Sequence, residues 1–244
     1  MVRGEIGDEK RLNFLIDTGA QPTVIDARFA RRLHLEGSAQ TLSLFNQEFQ
    51  SRQTVLPEIR LGPVRAKSVR VLVNDLSFIE AGLGVRIDAL VGLDVLGGQS
   101  FSIDYESQRI EFGPVAESGA AVEFEPGLDY IVVQMHAGNS MLRLLVDTGT
   151  NHLIFFEERG RGRVGALPRL GTKSLSNLAG AITLDQLELR DARLGESVLP
   201  PQLALMLKAP AGGHEGLDGL LGVTTLGAKR VDFDFKRRTM RWAR

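Results

Sequence analysis

The chain has 244 residues, of which 43% are hydrophobic and 24% are charged, so it can bury a core and is not a disordered tail. A net charge of −1, from 29 basic and 30 acidic residues, excludes the strongly basic balance of a dedicated nucleic-acid-binding protein. The absence of cysteine excludes disulfides and thiolate chemistry, and no apolar run approaches the roughly 20 residues that span a bilayer.

The first predicted elements are a buried strand and a short helix. Leu12–Ile16 is nearly continuous in apolar residues, which is typical of a buried strand, and it runs into Asp17-Thr18-Gly19. Asp26 is a favourable N-cap and predicts a helix over Ala27–Leu33. The strand would therefore deliver a carboxylate to a loop, with a glycine beside it that permits a tight bend.

Two hairpins follow in the first half of the chain. Strands are predicted at Thr41–Phe45 and Phe49–Leu56, around the turn Asn46-Gln47-Glu48. Further along, Phe101–Tyr105 and Arg109–Phe112 alternate apolar and polar residues around a short polar turn. This alternation predicts strands with one buried face.

The second half is predicted to repeat the same series of strands. A short helix is predicted at Leu203–Leu207. Gly160–Gly165 fits a dinucleotide-loop pattern, but its surroundings do not form a convincing strand–helix–strand unit, so we interpret this segment as a flexible surface loop. The predicted strands are Leu142–Val146, Leu170–Ser176, Ala181–Leu189, Val231–Phe235 and Thr239–Trp242.

The two halves are related by an internal repeat. Nine residues from Leu12 match nine from Leu142 at five positions, and both copies contain Asp-Thr-Gly. At the same offset of 130 residues, Leu90-Val91-Gly92 corresponds to Leu220-Leu221-Gly222. Because two separated blocks share one register, we predict a duplicated chain of two similar lobes. The predicted parts are an N-terminal Asp-Thr-Gly lobe over residues 1–115, a linker over 116–121 and a C-terminal Asp-Thr-Gly lobe over 122–244.

The duplicated Asp-Thr-Gly carries the predicted chemistry. A single copy is more often a turn, because aspartate and glycine favour turns. In two lobes packed about a pseudo-twofold axis, Asp17 and Asp147 can meet, and two carboxylates about 3 Å apart share one proton. The ionised member can deprotonate a water that attacks a carbonyl, while the protonated member donates to the carbonyl oxygen.

These residues give the sequence a resemblance to the aspartic peptidases of the pepsin/retropepsin superfamily, in a compact bacterial single-chain form. Asp17-Thr18-Gly19-Ala20 is similar to the retropepsin motif, and Asp147-Thr148-Gly149-Thr150 to the motif of the second pepsin lobe. Leu90-Val91-Gly92 and Leu220-Leu221-Gly222 stand where the family has an apolar-apolar-Gly element. The resemblance implies an all-β, two-lobed acid-protease fold with a pseudo-twofold internal repeat and few short helices.

The resemblance also implies a role for each motif residue. Asp17 and Asp147 would form the catalytic dyad, in a cleft between the lobes, and the two threonines would bond across the lobe interface. The residues that would support the active-site loops are Thr18, Gly19, Thr148 and Gly149.

The sequence departs from pepsins at the flap that covers the cleft. A pepsin flap carries a tyrosine, whereas neither Tyr105 nor Tyr130 lies between an Asp-Thr-Gly motif and its glycine partner. The hairpin at 41–56 is the flap candidate by position, and a second flap-like hairpin at 170–189 resembles the retropepsin arrangement more closely. Ordinary surface hairpins are the alternative interpretation of both. The candidate flap or substrate-binding residues are Phe45, Asn46, Gln47 and Phe49.

We therefore predict an aspartic-type endopeptidase that cleaves peptides held in an extended conformation. We expect a monomer with an acidic or mildly acidic pH optimum and with no cofactor, metal site, nucleic-acid partner or transmembrane segment. His152 could line the cleft, but a surface or structural role is the default for a histidine without metal-ligand spacing.

Two alternatives and one expectation about processing accompany this prediction. A catalytically idle peptide-binding or inhibitory protein on the same fold is favoured by the missing flap tyrosine and disfavoured by the two retained motifs. Halves that act separately as dimerising retropepsin-like units are disfavoured by the short linker. In the first half, only Met1–Ile6 corresponds to the strand that is predicted before the second motif. We therefore expect a longer precursor and, if a leader is removed, a periplasmic or secreted location.

Overall fold

The computed structural model describes residues 1–44, 47–125, 130–165, 167–208 and 216–244. Strands predominate in these residues and the helices are short, which confirms the predicted all-β class. The strands are β1 (Val2–Ile6), β2 (Glu9–Ile16), β3 (Val24–Asp26), β4 (Ser38–Leu44), β5 (Gln47–Leu61), β6 (Val64–Asn74), β7 (Ala89–Val91), β8 (Phe101–Asp104), β9 (Arg109–Phe112), β10 (Ala120–Glu123), β11 (Val132–Ala137), β12 (Ser140–Asp147), β13 (Leu153–Phe156), β14 (Arg169–Asn177), β15 (Gly180–Leu189), β16 (Ala192–Leu194), β17 (Ser197–Leu199), β18 (Gln202–Leu207), β19 (Gly219–Gly222), β20 (Arg230–Asp234) and β21 (Thr239–Ala243). The helices are α1 (Ala27–Arg32), α2 (Ser77–Leu83), α3 (Leu93–Leu96) and α4 (Glu157–Val164), with a 3₁₀ turn at Val223–Leu226.

Two large sheets share one strand order. The seven-stranded sheet of the first half runs β4-β5-β6-β3-β7-β2-β1, with a further pairing of β1 with β5. The nine-stranded sheet of the second half runs β14-β15-β18-β13-β19-β12-β11-β16-β17. Each strand of the first series has a counterpart in the second, from the outer hairpin to the strand before the motif. The repeat in the sequence is therefore accompanied by a repeat in topology.

Each motif strand lies beside a glycine-ended strand. β2 pairs in parallel with β7, with Leu15 opposite Leu90, and β12 pairs in parallel with β19, with Leu145 opposite Leu220. β3 and β13 pair antiparallel with the other edges of β7 and β19. After each motif, the chain therefore turns back and pairs with the glycine-ended strand. This pairing holds the two Asp-Thr-Gly loops at corresponding ends of their sheets.

A five-stranded sheet joins the two halves. Its order is β10-β21-β20-β8-β9, and Phe101 of β8 stands opposite Phe233 of β20. The two rings lie 4.9 Å apart between centroids, and Trp242 is buried in the same sheet. The predicted hairpins at the ends of both halves are confirmed as β8–β9 and β20–β21. The lobe boundaries at 1–115 and 122–244 stay a prediction.

The predicted helix after the first motif is confirmed. α1 spans Ala27–Arg32, and the Asp26 side chain caps it by accepting a hydrogen bond from the Arg28 amide at 3.0 Å. The Asp26 carboxylate is fully buried and also accepts from the Leu76 amide, so the cap ties the helix to the chain beyond β6.

Two predictions for the second half are wrong. Leu203–Leu207 lies in strand β18, because its run of apolar residues has no polar helix face and pairs with β13 and β15 on its two sides, with all but Leu203 buried. The loop predicted at Gly160–Gly165 is wrong up to Val164, because α4 continues to that residue and only Gly165 lies beyond it. Glu157 and Glu158 occupy the first turn of α4, where acidic side chains favour a helix. A Cβ at Gly160 would lie 3.2 Å from the Cβ of Phe155, so the glycine permits close packing on the strand before it.

Replacing the aromatic ring at the centre of the joining sheet should destabilise the whole chain. Phe233 is fully buried, so Phe233→Ala should lower the free energy of unfolding by about 3–5 kcal/mol. Val198→Ala is the control, since Val198 is 69% exposed and its truncation should change stability by about 0.5 kcal/mol or less. Denaturant unfolding can be followed by the fluorescence of Trp242, the sole tryptophan. Equal losses in the two variants would contradict this account of the joining sheet.

Candidate active site

The two Asp-Thr-Gly loops bring their carboxyl groups together. Asp17 follows β2 and donates its backbone amide to the Val91 carbonyl at 3.0 Å, which fixes the start of the first loop beside β7. Gly19 donates its amide to Asp17 Oδ1 at 2.9 Å, and Gly149 donates to Asp147 Oδ1 at 2.7 Å. Each carboxylate is thus oriented by the glycine amide of its own loop.

Each glycine also faces the aspartate of the opposite loop. A Cβ on Gly19 would lie 2.8 Å from Cγ of Asp147, and a Cβ on Gly149 would lie 2.6 Å from Cγ of Asp17. A side chain at either position would therefore push the opposite carboxyl group away. This contact gives a structural reason for glycine at the third position of both motifs.

The two threonines exchange hydrogen bonds across the interface between the loops. Thr18 Oγ1 donates to the Val146 carbonyl at 2.7 Å, and Thr148 Oγ1 donates to the Ile16 carbonyl at 2.8 Å. Each hydroxyl also accepts from the backbone amide of the other threonine, at 3.0 and 3.1 Å. Thr18 is fully buried, so its bond to the Val146 carbonyl is shielded from water, whereas Thr148 is half-buried. Four reciprocal bonds fix the distance between the loops.

The glycine-ended strands support the loops in different ways in the two halves. Gly92 donates its amide to Thr23 Oγ1 at 3.0 Å, and Thr23 in turn donates its hydroxyl to Asp94 at 2.7 Å. In the second half, Gly222 donates to the backbone carbonyl of His152 at 2.9 Å. Our sequence analysis missed the Thr23–Asp94 pair, although an aspartate two residues after the repeated glycine was visible.

Another repeated pair of carboxylates has a structural role. Asp88 accepts a hydrogen bond from the Asn13 amide at 2.9 Å, and Asp218 accepts from the Arg143 amide at 2.8 Å. These bonds tie the segment before each glycine-ended strand to the motif strand beside it. Their side chains are therefore occupied by the backbone and are not part of the dyad.

The two motif carboxyl groups interact directly, and the interaction changes their acidity. Burial raises the pKa of Asp17 above its ordinary value. Burial, together with the negative charge of Asp17, raises the pKa of Asp147 well above the ordinary range. The pair therefore retains one proton at pH values where an isolated aspartate has lost its own.

Apolar side chains flank the pair on both sides. Leu15 and Leu145 each stand two residues before the motif aspartate and share its side of the strand. Each belongs to an apolar cluster distinct from the main core. The first wall consists of Val24, Leu72, Leu76, Ile87 and Leu90, with Leu15, Leu42 and Leu178 against it. The second wall consists of Val132, Leu145, Ile154, Phe156, Leu184, Leu205, Leu207, Leu217 and Leu220, with Tyr130, Leu175 and Ile182 against it.

Two hairpins, β4–β5 and β14–β15, lie over these walls. Leu178, at the tip of the second hairpin, packs against the first wall. Gln47 of the first hairpin donates its side-chain amide to the Ala181 carbonyl of the second at 3.3 Å. The two hairpins therefore contact each other, and the second reaches across to the first half.

The predicted flap residues have different outcomes. The turn predicted at Asn46-Gln47-Glu48 is wrong for its last two residues, because β5 begins at Gln47 and pairs it with Leu44. Alternation of half-buried Gln47 and Phe49 with exposed Glu48 continues the strand period to this point. Phe45 and Asn46 lie outside the described residues. A flap role for Gln47 and Phe49 stays a prediction.

Among the described residues, no group of three or more histidine, aspartate or glutamate side chains is arranged to hold a metal ion. In the same part of the chain, the helices are too short and too polar to cross a membrane.

A model of a protein family matches the first part of the chain. Residues 2–95 match the family model described as aspartyl protease, which supports an aspartyl protease family for this chain. The matched segment contains the first Asp-Thr-Gly motif and Gly92, whereas Asp147 lies outside it. A search of curated proteins finds no match. The family match therefore concerns the first half of the chain. The second motif is related to the first by the geometry described above.

Removing one threonine hydroxyl should loosen the junction of the loops. Thr18→Ala leaves the Val146 carbonyl and the Thr148 amide without their partners, so we expect a loss of about 2–4 kcal/mol in the free energy of unfolding. Thr18→Ser keeps the hydroxyl and should cost about 1 kcal/mol for the lost methyl group. Denaturant unfolding measures both. The account fails if serine and alanine are equally destabilising.

Replacing Asp147 by asparagine should stabilise the fold at neutral pH. An unfolded aspartate ionises near its ordinary value of 3.8, whereas the folded pair retains its proton to higher pH, so wild-type stability falls as the pH rises between these points. Asp147→Asn removes this loss. The melting temperature should rise at pH 7, by about 2–4 °C for each kcal/mol relieved, and should not differ at pH 3. Asp191→Asn, at an exposed aspartate, is the control, and an equal rise there would refute the explanation.

Proposed function

We propose that this chain is an aspartic endopeptidase in which Asp17 and Asp147 activate a water molecule to hydrolyse a peptide bond. The observation that carries the proposal is the placement of each motif carboxyl group against the glycine of the opposite loop, held by the reciprocal bonds of Thr18 and Thr148. The match of residues 2–95 to an aspartyl protease family supports a protease function.

The two carboxyl groups have different roles in the proposed reaction. Asp17, the ionised member, accepts a proton from the water as its oxygen bonds to the carbonyl carbon of the peptide. Asp147, whose pKa is raised further by the charge of Asp17, holds the shared proton and donates it to the carbonyl oxygen. The adduct is a tetrahedral diol. A proton then passes to the amide nitrogen, the carbon–nitrogen bond breaks, and the products are a carboxylic acid and an amine.

The proposed substrate is a peptide held in an extended conformation between the walls. β4 and β14 are the terminal strands of their sheets, and both belong to the hairpins that lie over the walls. Terminal strands offer free backbone groups to an added strand, so an extended peptide can bind beside them. The apolar walls would contact side chains on either side of the scissile bond.

We also propose the two-lobed, single-chain arrangement of the pepsin/retropepsin superfamily, with lobes at 1–115 and 122–244. The common strand order of the two large sheets and the reciprocal threonine bonds support it. Because one chain supplies both motifs, a monomer suffices for the reaction.

A peptide-binding protein without turnover is the second candidate. The contact between Gln47 and Ala181 favours it, because both hairpins must move before a peptide can reach the carboxyl groups. Leu178 on the first wall occupies space that a substrate side chain would need. This candidate predicts binding of extended peptides with no cleavage.

Cleavage of a diverse peptide library between pH 3 and pH 7, analysed by mass spectrometry, separates the two candidates. Wild type should cut, and Asp17→Asn or Asp147→Asn should lower kcat/KM by about 10³-fold or more, because each removes an acid or base that the reaction requires. Asp191→Asn is the charge-matched control and should cut like wild type. Unchanged cleavage in either dyad variant refutes the mechanism, and a folded wild type that binds peptides without cutting them establishes the second candidate.

A further inference from the structure

The second hairpin has two chemically different faces. On its outer face, Asp185 pairs with Arg169 at 2.9 Å and with Lys208 at 2.8 Å. Thr172 stands opposite Asp185 in the β14–β15 register and is exposed. Because successive side chains of a strand point to opposite faces, Lys173 lies on the inner face. Asp185 therefore lies on the opposite face of the hairpin from Lys173. Its charge is already paired with Arg169 and Lys208.

The inner face lies against the second wall. Leu184, which stands opposite Lys173, is buried within the wall, and Leu175 and Ile182 pack against it. Lys173 shares this face and is half-buried. Lys173 thus stands on the face that lies against the second wall, where the aliphatic stem of a lysine can pack on apolar side chains while its amine stays in water.

His152 borders the same wall from the side of the active-site loop. It stands five residues after Asp147, and Ile154, two residues further on, belongs to the second wall. Its backbone is held beside β19, because its carbonyl accepts the Gly222 amide at 2.9 Å. Burial and the charge of Lys173 both lower the pKa of His152, as expected for two basic groups beside one wall.

The cation of Lys173 has no acidic partner among the described residues. The first hairpin has no equivalent, since its half-buried face carries Leu42, Leu44, Gln47 and Phe49. The two sides of the site thus differ in charge although their strand order is the same.

We propose that Lys173 and His152 form a specificity subsite for an acidic side chain, so that the substrates are peptides with glutamate or aspartate near the scissile bond on the side of the second wall. The carboxylate would accept hydrogen bonds from the Lys173 amine and from a ring N–H of His152. The methylene groups of the side chain would lie on the second wall. The cleavage preference rests on the proposed function, whereas the binding preference does not require turnover.

The first arm of the test compares cleavage of matched peptides. Peptides that carry glutamate, glutamine or lysine in turn at each position around the scissile bond are cleaved by wild type, Lys173→Glu and Lys173→Met. At the one position that binds the subsite, wild type should prefer glutamate over glutamine by about tenfold or more in kcat/KM. This factor corresponds to the free energy of one hydrogen bond to a charged group. Lys173→Met should abolish this preference, and Lys173→Glu should change it to a preference for lysine.

Lys236→Glu is the matched control for this arm. It makes the same change of net charge at an exposed residue of the turn between β20 and β21, and it should keep the wild-type preference. Circular dichroism and melting temperature establish that all variants are folded, and Lys173→Met preserves the apolar contacts if charge reversal does not fold.

The second arm measures binding of the same peptides, labelled with a fluorophore, to Asp147→Asn and to Asp147→Asn combined with Lys173→Met. Glutamate peptides should bind about tenfold more tightly than glutamine peptides to the first protein and equally to the second. Cleavage without an acidic preference at any position overturns the subsite and leaves the proposed function standing. Selective binding without wild-type cleavage overturns the proposed function and supports the subsite, and the loss of both selectivity and cleavage overturns both.

Discussion

Two carboxyl groups that repel each other when ionised are held side by side, and much of the surrounding structure serves to keep them there. Like charges at short range and burial both oppose this arrangement. The reciprocal bonds of Thr18 and Thr148 oppose the separation of the loops, and glycines at 19 and 149 leave room for the opposite carboxyl group. The repulsion is relieved by retaining a proton, and in the proposed reaction that proton is donated to the substrate.

The parts of the fold that the sequence predicted are those with a local signal or a repeated one. Asp26 predicted its helix because the cap acts within one turn, and the terminal hairpins followed from alternation of polar and apolar residues. The helix predicted at Leu203–Leu207 was wrong because a short apolar run has no period by which a strand can be distinguished from a helix. The surface loop predicted at Gly160–Gly165 was wrong because its glycines were given more weight than the repeat, which places this segment opposite the end of α1.

The site shows the same division between what repeats and what does not. Asp17 and Asp147 were identified because duplication made a short motif specific, and the structure brings them together, although their catalytic role stays a proposal. Lys173 carried no signal, since its importance depends on which face of a hairpin it occupies and on where Asp185 finds its partners. Such differences between the halves arise from tertiary contacts, which a sequence repeat does not contain.

The most direct test of the central claim is a carbon-13 NMR titration of the side-chain carboxyl groups of Asp17 and Asp147 in the wild-type protein. The account predicts two coupled steps, one of which lies well above the ordinary range near 4, and a lower pKa for Asp147 when Asp17 is replaced by asparagine. Independent titration of both groups near 4, unchanged in Asp17→Asn, would contradict the shared proton on which the proposed chemistry rests.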